Sequence, residues 1–347
     1  MNFKISPLNS LMTGTAVAAL SALALFNPSP AVAQDTSYRH GVVPNVFSPL
    51  NIQENDLGAP AKDLRYRGGV SGVGVTTGAP KVYLVFWGSQ WGKQGTANGY
   101  VTFANDPAGM APNLQAFFKG LGTGTELWSG VMTQYCQGVA SGTITCPAGN
   151  TSHVGYPTGG ALAGVWEDTS SSEPLAASAL QIGDEAEKAA THFGNTTTAS
   201  NRNVQYFIVS PTGTNPDHYK QNGFCAWHDY TGDASLGTIP GPLLAFTNMP
   251  YVPDAGSGCG ASFVNPGDKL DGVTIVGGHE YAETISDQFP GGGWLANDGE
   301  ENGDLCAWVT SGVGKVQNIV LSTGKFAVQG TWSNASGACA IQHAIVH

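Results

Sequence analysis

The sequence predicts a mixed α/β fold, in which a mixed sheet carries helices and is braced by disulfides. Three observations carry that expectation. Strand-length apolar runs alternate with helical patterns up to about residue 290, and strand-like runs dominate afterwards. Six cysteines (Cys136, Cys146, Cys225, Cys259, Cys306 and Cys339) all fall beyond residue 33, as expected of a chain folded in an oxidising compartment. One stretch, 273–308, combines a buried-looking helix with a histidine and a row of carboxylates, and the remaining elements read as its scaffold.

The chain opens like an exported protein. Lys4 supplies a small positive region, 16–26 is apolar, and Ala31-Val32-Ala33 fits small-residue cleavage, so 1–33 is expected to be a signal peptide. No later stretch reaches the roughly 18 apolar residues of a membrane span. The expected location is therefore secreted and extracellular, or periplasmic. Residues 34–62 read as an extended N-terminal segment or a short pro-segment, and 63–347 as a single α/β metal-binding domain. A net charge of -11, with 14 Lys and Arg against 25 Asp and Glu, leaves no basic stripe for nucleic acid or an anionic membrane. The 48 glycines imply many tight turns.

The cysteines lack close C-x-x-C pairs, which argues for disulfides over a thiolate zinc site. Pairing of sequence neighbours, Cys136–Cys146, Cys225–Cys259 and Cys306–Cys339, is the simplest of the possible connectivities.

In chain order, 64–69 and 70–76 read as short extended pieces. The run Lys81-Val82-Tyr83-Leu84-Val85-Phe86-Trp87 is apolar on both faces and bounded by Pro80 and Gly88, which predicts a central strand. Leu114, Phe117, Phe118 and Leu121 recur at helical spacing in 109–121, with Pro112 near the start and Gly122 after the end. Residues 128–135 alternate well enough to predict a strand, and 137–172 is mostly loop. A helix is predicted over 175–193, stopped by Gly194. Apolar runs at 204–209 and 243–248 are further strands, and the aromatic run 224–230 is a strand or turn. After the helix at about 273–288, strands are expected at 319–322, 326–332 and 339–346.

Within that last helix, His279, Glu283 and Asp287 stand at i, i+4 and i+8 and share one face. An imidazole and a carboxylate one turn apart can reach a single cation, the logic of H-E-x-x-H metal helices; here the pattern is H-E-x-x-E. If the metal is zinc, His279 and Glu283 are two ligands and Glu301 or Asp304 is the third. Glu280 then lies beside the open position as general base, the chemistry of a peptidase acting on a peptide or protein substrate. If the metal is calcium, the oxygens of Asp287, Asp298, Glu300, Glu301 and Asp304 are favoured, although their spacing is not an EF-hand loop. The bland alternative is a structural network of histidine and carboxylates. Asp287 has a plainer reading too, bonding backbone at the helix end, and His228 reads as a packed strand histidine. Gly277-Gly278 allows another group to approach the helix closely. No G-x-S-x-G elbow, P-loop or G-x-G-x-x-G follows a strand.

These blocks also resemble a known family. Leu64-Arg65-Tyr66-Arg67-Gly68-Gly69, Val82 to Gly88, Phe224-Cys225-Ala226-Trp227-His228, Gly258-Cys259-Gly260, Asp271-Gly272, the H-E-x-x-E helix and Glu301-Asn302-Gly303-Asp304-Leu305-Cys306 are similar to the Exordium or phosphate-induced proteins of plants and their bacterial relatives. The resemblance spans most of 64–310 in scattered blocks. It implies an extracellular protein linked to growth responses, with no settled biochemical activity. The helix also resembles that of zincin metallopeptidases, which implies a zincin-like core, and departs from it where Glu283 replaces a histidine. Two functions follow as expectations. One is a secreted zinc metallopeptidase. The other is a non-catalytic extracellular binding or signalling protein of the Exordium type, with structural calcium or no metal.

Overall fold

A computed structural model describes residues 1–4, 37–48 and 63–347. The expected signal peptide beyond residue 4, its cleavage point near Ala33 and the parts of the extended segment at 34–36 and 49–62 lie outside the described residues. The described residues from 37 onward cluster as one compact unit.

The chain runs β1 (His40–Pro44), β2 (Arg65–Tyr66), β3 (Lys81–Trp87), β4 (Gln94–Ala97), β5 (Tyr100–Phe103), α1 (Met110–Gly120) and β6 (Leu162–Asp168). It continues through α2 (Ala179–His192), β7 (Val204–Val209), α3 (Tyr219–Asn222), β8 (Phe224–Tyr230) and β9 (Ala245–Met249). Next come α4 (Asp271–Ser286), β10 (Trp294–Leu295), β11 (Gln317–Leu321), β12 (Gly324–Val328), β13 (Thr331–Ser333) and β14 (Ala338–Ala340). Six strands form the main sheet in the order β1-β8-β9-β7-β3-β6. The sheet is mixed: β6, β3, β7 and β9 are parallel neighbours, whereas β8 and β1 run antiparallel at one edge. The apolar run at Lys81–Trp87 takes an interior position between β6 and β7, as its two-faced hydrophobicity requires.

Alternation along these strands divides the interior into two layers. Val85, Tyr206, Ile208 and Phe246 pack with Ile182, Ala186 and Ala189 of α2. Leu84, Phe86, Phe207 and Val209 share the other layer with Leu114, Phe117 and Phe118 of α1 and with Val273, Val276 and Tyr281 of α4. Strand β12 packs against α4, where Thr274 donates to the Ala327 carbonyl at 2.6 Å. The fold is therefore mixed α/β, with all three nearest-neighbour disulfides formed.

Three stretches depart from expectation: the strand expected at 339–346 is Ala338–Ala340, the loop-rich 137–172 holds the seven-residue strand Leu162–Asp168 of the main sheet, and 128–135 is not a strand. Instead of a strand, 128–135 holds a 3-10 turn at Ser129–Gln134. Trp128, Val131, Met132 and Tyr135 are all buried, and their spacing of three and four residues matches a helical turn, not a pleat. The predicted helix at 175–193 begins at Ala179, where Ser178 caps it: the Gln181 amide donates to Ser178 Oγ and the Ser178 amide donates to Gln181 Oε1.

Candidate metal centre

Every residue of α4 is buried. A helix enclosed on all sides should be apolar throughout, yet its middle carries His279, Glu280 and Glu283. The scaffold holds this segment from several directions. Gln205 on β7 donates through Nε2 to the Glu280 carbonyl at 3.1 Å and to Thr284 Oγ1 at 2.8 Å, which fastens the helix to the sheet. Asn302 donates to the Ala282 carbonyl and to Ser286 Oγ, which brings the acidic loop back across the helix. Gly277 and Gly278 admit protein, not ligand: their backbone faces Leu114, Phe117 and Trp128.

The geometry collects six ionisable side chains from three parts of the chain. His279 Nε2 lies 3.0 Å from Glu283 Oε2 and 3.6 Å from Asp304 Oδ1. His228, on β8, places Nδ1 at 3.0 Å from Glu280 Oε2 and 3.7 Å from Glu283 Oε2, with Nε2 at 3.4 Å from Glu301 Oε1. Two triads can converge on one ion, His279–Glu283–Asp304 and His228–Glu280–Glu283, and they share Glu283. Asp304 is 19 % exposed, and the other five are buried. Each of the sequence-predicted residues His279, Glu280, Glu283, Glu301 and Asp304 thus lies in one cluster.

The remaining acidic residues do not join it. Asp287 accepts from the amides of Gly291, Gly292 and Gly293, the plain backbone role that its position allowed. Asp298 is exposed and accepts from the Glu300 amide at 3.3 Å. The oxygens of Asp287, Asp298, Glu301 and Asp304 are therefore not gathered into one cage.

Hydrogen bonding sets the state of His279. Gln329 donates through Nε2 to the Gly303 carbonyl at 2.8 Å, so its Oε1 is the atom that faces His279 Nδ1 at 3.1 Å. Nδ1 must then carry a proton, which leaves Nε2 of the neutral ring as a lone pair. That lone pair points at a carboxylate oxygen only 3.0 Å away. Two acceptors cannot bond to each other without a proton or a cation between them. His279 Nε2, Glu283 Oε2, Glu280 Oε1, Glu301 Oε2 and His228 Nε2 all lack a hydrogen-bond partner while buried. An unpaired buried polar atom costs on the order of 1–3 kcal/mol. No Lys or Arg forms an ion pair with the cluster among the described residues. The donor set of one or two imidazoles with two or three carboxylates could hold a metal ion. The Gln329 contact fixes the orientation of the His279 ring.

Electrostatics agree with a site short of positive charge. Burial pushes Glu283 up to about 7, with the Asp304 carboxylate adding to it. Burial also drives Glu280 and Glu301 well above the usual carboxylate range, and for Glu301 the neighbouring carboxylates reinforce it. Burial alone would depress His279, but Glu283 and Asp304 outweigh it and raise it well above its ordinary value, so without a cation at Nε2 the ring is drawn toward a second proton facing Glu283. His228 is pushed well below, chiefly by burial.

Sequence reasoning missed four participants. His228 is packed in its strand, as read, but its ring nitrogens face Glu280 and Glu301. Its one signal was its place three residues after the disulfide-bonded Cys225. Gln329 carried no local signal. Gly303 is needed because a Cβ there would sit 2.7 Å from Glu283 Oε1 and 3.0 Å from the His279 ring. Gly41, on β1, holds a φ of 52°, and a Cβ built on it would overlap the Glu283 carboxylate and the His228 ring. Strand β1 thus lies directly against the cluster, beside an open cleft of about 310 Å³ lined by Arg39, His40, Gly41, Glu301 and Asp304 among others.

Among the described residues no helix is long and apolar enough to cross a membrane, and the three disulfides are those of an oxidised chain. Comparison with protein-family models, with curated proteins and with solved structures finds no match to this chain.

Proposed function

We propose that this chain is an exported zinc-dependent peptidase with a zincin-like core. His279 and Glu283 hold the metal, Asp304 is the third ligand and Glu301 stands at its edge. The observation that carries this reading is His279 Nε2 set 3.0 Å from Glu283 Oε2, with Gln329 holding the other ring nitrogen. Zinc, when bound, supplies Lewis acidity that polarises a scissile carbonyl and makes water nucleophilic near neutral pH.

The chain's own residues do the rest. Glu280, next to the ligands and shielded from solvent, takes a proton at Oε and returns it to the leaving amine. His228 positions that carboxylate through its 3.0 Å contact. The test pairs metal content with hydrolysis. About one zinc per chain, lost in His279→Ala, together with peptide hydrolysis abolished in Glu280→Gln while the fold and metal remain, is the expected result. No zinc even after loading would overturn it.

A second reading is favoured by Gly41. Strand β1 rests on the cluster where a substrate would have to lie, which suits a non-catalytic extracellular binding or signalling protein of the Exordium type, with the metal serving structure. In that case wild type shows zinc and no hydrolysis, and Glu280→Gln changes nothing measurable in an activity assay.

A further inference from the structure

A second group of metal-ligating side chains lies where β1 meets β8, apart from the six residues already described. His40 on β1 places Nε2 at 3.1 Å from Asp233 Oδ2 and 3.9 Å from Asp229 Oδ1. Asp229 belongs to β8 and Asp233 to the turn that follows it. One ligand atom from each of the three lies within 4.8 Å of the others. A simple His–Asp pair explains the contact with Asp233, but it leaves Asp229 unexplained. That carboxylate is wholly buried: Oδ1, the oxygen nearest His40, also accepts from the Tyr230 amide at 2.7 Å, and Oδ2 has no hydrogen-bond partner. A buried carboxylate facing a second carboxylate and an imidazole is the arrangement that a divalent cation resolves.

We infer that His40, Asp229 and Asp233 form a second cation site, of the zinc type because an imidazole is among its ligands, which fastens strand β1 to the edge of the sheet. His40 is 29 % exposed, so water can complete the coordination shell from the cleft side. The ion bridges β1 and β8, the two strands that the register pairs at His40 and His228. The site stands independently of the peptidase reading, because none of its ligands belongs to the proposed catalytic set.

Zinc alone, titrated into the full chain, tests it. Equilibrium dialysis with elemental analysis is expected to find two zinc ions per chain at saturation in wild type. Asp233→Asn should retain one and bind the other about tenfold more weakly or worse. This change preserves the turn, since the remaining carbonyl can still accept from the Ser235 amide as Asp233 Oδ1 does at 2.7 Å. Asp229→Asn, which likewise keeps an acceptor for the Tyr230 amide, should behave the same way. His279→Ala should lose the other ion, and the double variant His279→Ala with Asp233→Asn should lose both. The imidazole resonances of His40 should shift on zinc addition in wild type and in His279→Ala, and stay fixed in Asp233→Asn. Unchanged His40 resonances at saturating zinc, or equal stoichiometry in wild type and Asp233→Asn, would reduce the group to a hydrogen-bonded ion pair and overturn the inference. One zinc per chain in wild type, kept in His279→Ala and lost in Asp233→Asn, would sink the metal centre on the α4 helix and leave this site standing.

Discussion

Helices α2 and α4 differ in how they use burial. In α2 the buried positions Ala179, Ile182, Gly183, Ala186, Ala189 and Ala190 form a stripe, with the opposite side in solvent. Its ends carry ordinary signals, a Ser178–Gln181 capping box and Gly194 beyond the last turn. In α4 no stripe exists because no side is solvated, and the polar residues in its middle cannot be explained as a wet face. A surface helix tolerates charge anywhere but on its stripe. An enclosed helix tolerates charge only where something answers it, so His279, Glu280 and Glu283 call for a partner in a way that Asp184 or Lys188 does not.

The contrast can be broken most forcefully at Glu283. Ligand binding to the folded state adds about 4 kcal/mol at a concentration a thousandfold above Kd. Zinc should therefore raise the Tm of wild type by many degrees, and Glu283→Gln should lose most of that rise while still accepting the Asp304 amide. An equal zinc-induced shift in both proteins would remove α4 from the metal argument.

A subtler test uses the one carboxylate that α2 does bury. Glu185 is 4 % exposed and pushed up from 4.5 to about 8, by burial first and by Asp168 next, against the pull of Lys188. The folded state therefore binds more protons than the unfolded state between these values, so stability is full below about pH 4.5 and declines as pH rises to about 8. The slope is at most about 1.4 kcal/mol per pH unit, or on the order of 2 kcal/mol between pH 6 and 8. Glu185→Gln should flatten that part of the profile in denaturant titrations; an unchanged slope would show that Lys188 already satisfies the charge.

Smaller effects sharpen the picture. Ser178→Ala removes a cap and should cost α2 about 1 kcal/mol in chemical denaturation, whereas α4 has no side-chain cap at its start to lose. Gly278→Ala places a Cβ at 3.4 Å from Phe117 and Trp128, an ordinary contact. The gain in helix propensity, up to about 1 kcal/mol, should leave stability within that margin. A drop of several kcal/mol would mean that α1 cannot yield at all.

What could be read in advance follows the range of the interactions. The central strand at Lys81–Trp87, the α2 stripe and the His279–Glu283 spacing depend on residues within a turn or a strand of one another, and each is legible locally. So was the recruitment of Glu301 and Asp304, because the loop returns within about 20 residues of the helix. His228, Gln329 and Gly41 reach the cluster from far away in the chain, through sheet order and strand pairing that no local pattern encodes. The turn at Ser129–Gln134 failed for a different reason: apolar residues in a short run satisfy period two and period three-to-four almost equally well.

Two of the three disulfides bracket the cluster. Cys225–Cys259 ties the start of β8, three residues before His228, to the segment leading into α4, and Cys306–Cys339 closes a loop that begins just after Asp304 and contains Gln329. These two covalent ties hold the stretches that carry His228, Gln329 and the residues beside Asp304 in one frame. If the cluster binds metal as proposed, a chain held reduced should take it up more weakly, and metal content before and after reduction would read that coupling.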